Sequence, residues 1–155
     1  MKAINLHHVG IWVDDMDEML NFLTEVMGFT LLWRGSRGER GPGESARVHA
    51  GDNQLFEIIT EPNVQPRPDF PVHPIGHVAG IAHICFRVTN IPAWDEKIQS
   101  LGYPITLRAP EQGFTNSMLG CQRALLFTGP SEVGFELVEF KEEFSFDKIG
   151  TGPVK

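Results

Sequence analysis

Residues 4–13, Ile-Asn-Leu-His-His-Val-Gly-Ile-Trp-Val, place apolar and other side chains in alternation and stop at the acidic pair Asp14-Asp15. A period of two marks a β-strand with one face against a core. Residues 80–88, Gly-Ile-Ala-His-Ile-Cys-Phe-Arg-Val, have the same pattern and stop at Thr89-Asn90. Setting His8 over His83 pairs Val9 with Ile84, Ile11 with Phe86 and Val13 with Val88. A restart of this kind within one chain is the mark of an internal duplication, so the remainder is read as two copies of one unit.

The segments after the two strands agree with a duplication. Asp15 is positioned as a helix N-cap with Glu18 as its capping-box partner. Met16, Met19, Leu20, Leu23, Val26 and Met27 share one helical face, and Gly28 is the stop. Apolar runs at 29–34, 46–50 and 54–60, the last two separated by Gly51-Asp52-Asn53, complete a βαβββ order. In the second copy Asn90 caps a helix through Ile91, Trp94, Ile98 and Leu101, Gly102 ends it, and strands are expected near 104–108, 122–128 and 133–140. Leu55-Phe56-Glu57-Ile58-Ile59 then matches Gly134-Phe135-Glu136-Leu137-Val138. The expected fold is α+β, with βαβββ modules at 1–60 and 80–141 and a tail at 142–155. The linker at 61–79 holds Pro62, Pro66, Pro68, Pro71 and Pro74, which keep the backbone extended.

The composition, 155 residues with 41% hydrophobic and 21% charged, suits a packed soluble protein rather than a disordered one. A net charge of −7 would repel a nucleic-acid backbone and leaves no polybasic membrane patch. Only Cys85 and Cys121 are present, so a disulfide framework is not expected. There is no signal-peptide pattern and no apolar run of the ~18 residues a membrane span needs, so the expected location is the cytoplasm.

Strand parity then sorts the side chains. Val9, Ile11, Val13, Phe56 and Ile58 lie under the first helix, and Ala82, Ile84, Phe86, Val88, Phe135 and Leu137 under the second. His8, Gly10, Trp12 and Glu57, and His83, Cys85, Arg87 and Glu136, take the opposite faces. If the two curved sheets close around a common cavity, two imidazoles and two carboxylates converge. They form a ligand set for Zn²⁺, Ni²⁺, Co²⁺, Mn²⁺ or Fe²⁺. The plainer reading makes each Glu a solvated strand residue and each His a satisfied polar group. Arg87 is a candidate clamp for a substrate carboxylate or phosphate, and Trp12 and Phe114 are candidate cavity linings. Arg34, Arg37, Arg40 and Arg47, in a Gly-rich stretch, read either as an anion-collecting lid or as a solvated hairpin tip. His73 and His77 in the linker, and Cys85, are read as structural.

Leu6-His7-His8-Val9-Gly10-Ile11, Asp14-Asp15-Met16-Asp17, the helix end Met27-Gly28-Phe29, and Glu57, His83 and Glu136 in their strands together resemble the vicinal oxygen chelate superfamily. That group includes glyoxalase I, methylmalonyl-CoA epimerase, extradiol dioxygenases, fosfomycin-resistance enzymes and bleomycin-binding proteins. The resemblance implies paired modules forming a cupped mixed sheet around a divalent metal, with His8, Glu57, His83 and Glu136 at the ligand positions. An acidic residue at Glu57 looks like glyoxalase I, whereas epimerases usually carry Gln there and extradiol enzymes use two histidines and one carboxylate. Phe22-Leu23 departs from the Phe-Tyr of glyoxalase I. The implied activity is that of a metal-dependent isomerase, epimerase or lyase acting on a small oxygenated metabolite or thioester, with Glu136, or Glu57, as base. The alternatives are permanent ligation by both carboxylates with the base elsewhere, a non-catalytic small-molecule binder, and an Fe²⁺ dioxygenase. A single module exposes a sheet edge and half a site, so the partner expected besides substrate is a second copy in a homodimer, or the two modules pairing within one chain.

Overall fold

A computed structural model describes residues 6–52, 54–65, 81–109 and 121–140. These form two compact units, each holding one of the expected modules. The first contains β1 (His8–Trp12), α1 (Met16–Asn21), β2 (Thr30–Ser36), β3 (Glu44–His49) and β4 (Leu55–Thr60). The second contains β5 (Ile84–Arg87), α2 (Ile91–Ser100), β6 (Ile105–Arg108), β7 (Cys121–Thr128) and β8 (Gly134–Phe140). Most of the linker, with His73 and His77, and the tail at 142–155 lie outside the described residues, as does Phe114.

The duplication extends to the hydrogen-bond register. The sheets run β1-β4-β3-β2 and β5-β8-β7-β6, with a parallel first pair and antiparallel pairs after it. Val9 stands beside Phe56 as Ile84 stands beside Phe135, and Gly10 beside Glu57 as Cys85 beside Glu136. Even the irregularities coincide, since β2 shifts register between Leu31 and Trp33 and β6 between Ile105 and Leu107. Each break leaves one extra residue, Leu32 or Thr106, in the strand paired with the third of its module.

The first helix starts as expected, with the Asp15 carboxylate accepting from the Glu18 N–H at 2.9 Å. The reciprocal half of the capping box is absent, because the Asp15 N–H donates to Asp14 Oδ1 at 3.1 Å. A π-helical turn, Phe22–Val26, continues α1. Phe22, its first residue, still bonds back to the Glu18 carbonyl in α geometry and is buried at 1% exposure at the margin of the apolar face, whereas Val26 and Met27, expected on that face, are only half-buried once the turn has widened the helix. Met16, Met19, Leu20, Phe22 and Leu23 are buried in this unit, as are Ile11, Val13, Ala46, Val48, Phe56 and Ile58 of its strands. Gly28 ends the helix at φ +77°, where a side chain would be strained.

In the second unit Ile91 and Ile98 are buried with Leu125, Phe127, Phe135 and Leu137, and the Phe127 and Phe135 rings stack at 5.7 Å. The Asn90 cap is present, its side chain accepting from the Ala93 N–H at 3.3 Å. Glu139 adds to it by accepting from the Asn90 N–H at 2.6 Å. Leu101, expected on the buried face, is 48% exposed because it lies beyond the last helical turn.

Phe22→Ala is expected to destabilise the protein by about 3–5 kcal/mol, the usual cost of emptying a fully buried aromatic site, and Leu101→Ala by less than about 1 kcal/mol. Denaturant unfolding monitored by circular dichroism measures both. Equal effects would contradict the burial of Phe22.

Candidate functional site

The parallel pairing of the first and last strand in each module brings its histidine to its glutamate. In the first unit His8 Nε2 lies 3.3 Å from Glu57 Oε2. In the second, His83 Nε2 lies 2.9 Å from Glu136 Oε2. Both carboxylates are largely covered, at 18% and 16% side-chain exposure, so neither is the freely solvated strand residue of the plainer reading. The opposite strand faces hold the core, as parity requires. Among the described residues no group of three or more His, Cys, Asp or Glu side chains is close enough to hold an ion. Each unit therefore presents a two-donor half of the expected set.

The spacing within each half suits a shared cation. Two donors on one first-row divalent ion at about 2.1 Å are about 3.0 Å apart in octahedral and about 3.4 Å apart in tetrahedral geometry, and a proton shared in a hydrogen bond gives a similar separation. Imidazole nitrogen and carboxylate oxygen are the donor types that first-row divalent ions take. Ring orientation is fixed differently in the two halves. His8 Nδ1 is 3.0 Å from His7 Nδ1, a hydrogen bond in which one ring donates to the other. His7, set aside by parity, thus orients His8 through its far nitrogen. His83 Nδ1 is buried without a hydrogen-bond partner among the described residues, which leaves Nε2 as the nitrogen open to an external ligand.

Glu57 has a second partner that sequence reasoning missed. Arg47 Nη2 lies 2.6 Å from Glu57 Oε1, and its Nη1 donates to the Ala46 carbonyl at 3.1 Å. The signal was legible in β3, where Ala46 and Val48 are buried and Arg47 falls directly opposite Glu57 in the ladder. Reading Arg47 only as part of an Arg-rich loop hid that position.

The remaining arginines of that stretch bear on both the lid and the hairpin-tip reading. Arg34 pairs with Asp17 and with Glu44, the latter at 2.7 Å, and Arg37 pairs with Glu61. Asp17 first and Glu44 second hold the Arg34 guanidinium above its ordinary range. Three of the four arginines are thus paired with carboxylates of α1, β3, β4 and the residue after β4, and Arg37 and Arg47 are largely covered, so these three are neither a free anion-collecting set nor a solvated tip. Trp12, 50% exposed on the His8 face, has the Arg37 guanidinium carbon 5.0 Å from its ring. Between His8 and Trp12, Gly10 leaves open space: a Cβ built there meets nothing within 4 Å. Arg87 is exposed on the His83 face with its guanidinium carbon 5.5 Å from the Phe140 ring, and no carboxylate contacts it among the described residues. Cys85, beside Glu136 in the ladder, is exposed.

Comparison with known proteins agrees with this architecture. Residues 5–137 match the family model of the Glyoxalase/Bleomycin resistance protein/Dioxygenase superfamily. No curated protein matches the sequence. Among solved structures, a glyoxalase family protein from Enterococcus faecalis is 24% identical over 87% of this chain and 97% of its own, with a TM-score of 0.66. The trypanothione-dependent glyoxalase I of Leishmania major is 18% identical over 90% of this chain and 88% of its own, also at 0.66. A variant of the fosfomycin resistance protein FosX from Listeria monocytogenes, complexed with Mn(II) and 1S,2S-dihydroxypropylphosphonic acid, is 16% identical over 88% of this chain and 93% of its own, at 0.63. At these identities the likeness is one of fold.

Proposed function

We propose that this chain, which belongs to the Glyoxalase/Bleomycin resistance protein/Dioxygenase superfamily, is a metal-dependent enzyme of the glyoxalase type. It removes a proton next to a carbonyl of a small oxygenated metabolite or thioester, as an isomerase, an epimerase or a lyase. One observation carries the reading: the same His–Glu contact occurs at the same register position of both modules, at 3.3 Å and 2.9 Å. The neighbours on the same strand faces diverged between the two copies while His and Glu did not, and a two-part ligand set accounts for that retention. His8, Glu57, His83 and Glu136 hold the ion, supplied by one chain or by two chains of a homodimer. The homodimer is supported by β2, an edge strand on which Leu31, Leu32 and Trp33 are exposed. The Mn(II) in the FosX complex supports a divalent ion of this kind.

When bound, the ion supplies a Lewis acid that stabilises negative charge on the substrate carbonyl oxygen. The chain's own residues do the rest. Glu136 Oε1, which has no partner among the described residues, accepts the proton from the carbon beside that carbonyl and gives it back, to the same carbon in an epimerisation or to its neighbour in an isomerisation. Arg87, with no carboxylate to neutralise it among the described residues, binds an anionic group of the substrate. Trp12 offers a flat apolar surface beside the open space over Gly10. Glu57, engaged by His8 and Arg47, stays in place.

Three measurements test this. Protein purified without chelator is expected to carry about one divalent ion per chain, and His83→Ala to lose most of it while keeping its circular-dichroism spectrum; wild-type stoichiometry in that variant would remove His83 from the ligand set. Metal-loaded protein is expected to exchange the α-proton of a CoA thioester, hemithioacetal or hydroxyketone with solvent deuterium. Glu136→Gln, which keeps an oxygen ligand but cannot accept a proton, should slow this roughly 10²–10⁴-fold. Undiminished exchange there would move the base elsewhere, and binding of a panel compound without any exchange would make the protein a small-molecule binder. Light scattering is expected to give twice the chain mass of 17.3 kDa; a strict monomer would confine the ligand set to one chain.

A further inference from the structure

Positions that correspond in the two modules are chemically alike at the ligands and unlike beside them. Directly across the antiparallel ladder from Glu57 stands Arg47, and directly across from Glu136 stands Leu126. The Arg47 guanidinium is held at two points, Glu57 Oε1 at 2.6 Å and the Ala46 carbonyl at 3.1 Å. A planar fork fixed in this way takes one carboxylate oxygen out of use and sets the direction of the other. Glu57 is left with Oε2 to offer, already turned to His8. Leu126, 2% exposed, has no polar atom to give, so Glu136 is held through Oε2 by His83 and keeps Oε1 for another ligand.

From this difference we infer that Arg47 is a positioning residue that locks Glu57 as a fixed, single-oxygen ligand, so that any carboxylate movement or two-oxygen binding is confined to Glu136. The inference rests on the metal-site reading above. It assigns to a residue outside the ligand set the task of making two equivalent carboxylates unequal.

The test uses Co²⁺ as probe with the full-length protein, read by titration and by its visible absorption spectrum. Arg47→Leu reproduces the Leu126 environment around Glu57 and is expected to weaken Co²⁺ binding about tenfold, in line with losing an outer partner of a ligand. The spectrum should change too, because the freed Oε1 alters the coordination number. Arg47→Lys, which keeps a charged donor, should recover most of the affinity and the wild-type spectrum. If wild type binds Co²⁺ and Arg47→Leu matches it in affinity and spectrum, the positioning role is refuted while the metal site stands. Weaker binding with an unchanged spectrum in both variants also refutes it, leaving Arg47 a contributor to charge or folding alone. Failure of the wild type to bind Co²⁺ overturns the metal-site reading, and this inference falls with it.

Discussion

The arrangement depends on one constraint, the parallel pairing of the first strand of each module with its last. An antiparallel hairpin could join neighbouring strands through a short turn, but β1 and β4, like β5 and β8, must be brought together by a helix and two further strands. That longer route leaves the register to the buried face, since a slip of one residue would send every side chain to the other face. Because the register is fixed, His8 and Glu57 project from one face while Val9, Ile11, Phe56 and Ile58 project from the other, against the helix. The core selects the register, and the register places the histidine and the glutamate within hydrogen-bonding reach.

The two copies differ in a way that shows which face is constrained. Inward positions exchange one apolar residue for another: Val9 for Ile84, Ile11 for Phe86, Ile58 for Leu137, with Phe56 and Phe135 the same. Outward positions other than the His and Glu change chemical class: Gly10 against Cys85, Trp12 against Arg87, Arg47 against Leu126. Close packing tolerates swaps of similar volume and little else, whereas an outward face imposes no volume rule. His and Glu recur on that permissive face, and nothing about packing explains why they should.

Much of this was legible in the sequence because strands encode their faces with a strict period of two. The helix caps at Asp15 and Asn90, the glycine stops and the order of strands come from local chemistry. The features that escaped were non-local or irregular. The π-helical turn breaks the 3.6-residue period after Phe22, leaving Val26 and Met27 half-buried, and no residue type announces it. Glu139 caps α2 from a strand 49 residues away from Asn90, a contact visible only once β8 is placed. Arg47 sits in a charged, Gly-rich run, although its place in β3 opposite Glu57 follows from the same parity that sets His8 and Glu57 on one face.

Charge balance gives the second pair the greater need of a cation. Glu57 lies against a permanent guanidinium 2.6 Å from one oxygen and an imidazole 3.3 Å from the other, so its negative charge is compensated without help. Glu136 is as well covered, but opposite it stands Leu126, and the one group within reach that can carry positive charge, among the described residues, is His83. A carboxylate held away from water without a counter-charge is costly. Arg87, further along the same strand face, is placed over Phe140 and does not reach it. Among the described residues, His83 is thus the one polar partner of Glu136, and this pair is where a bound ion would add most. For this reason His83, rather than His8, is the proposed ligand whose removal bears most directly on whether a divalent ion belongs to this protein.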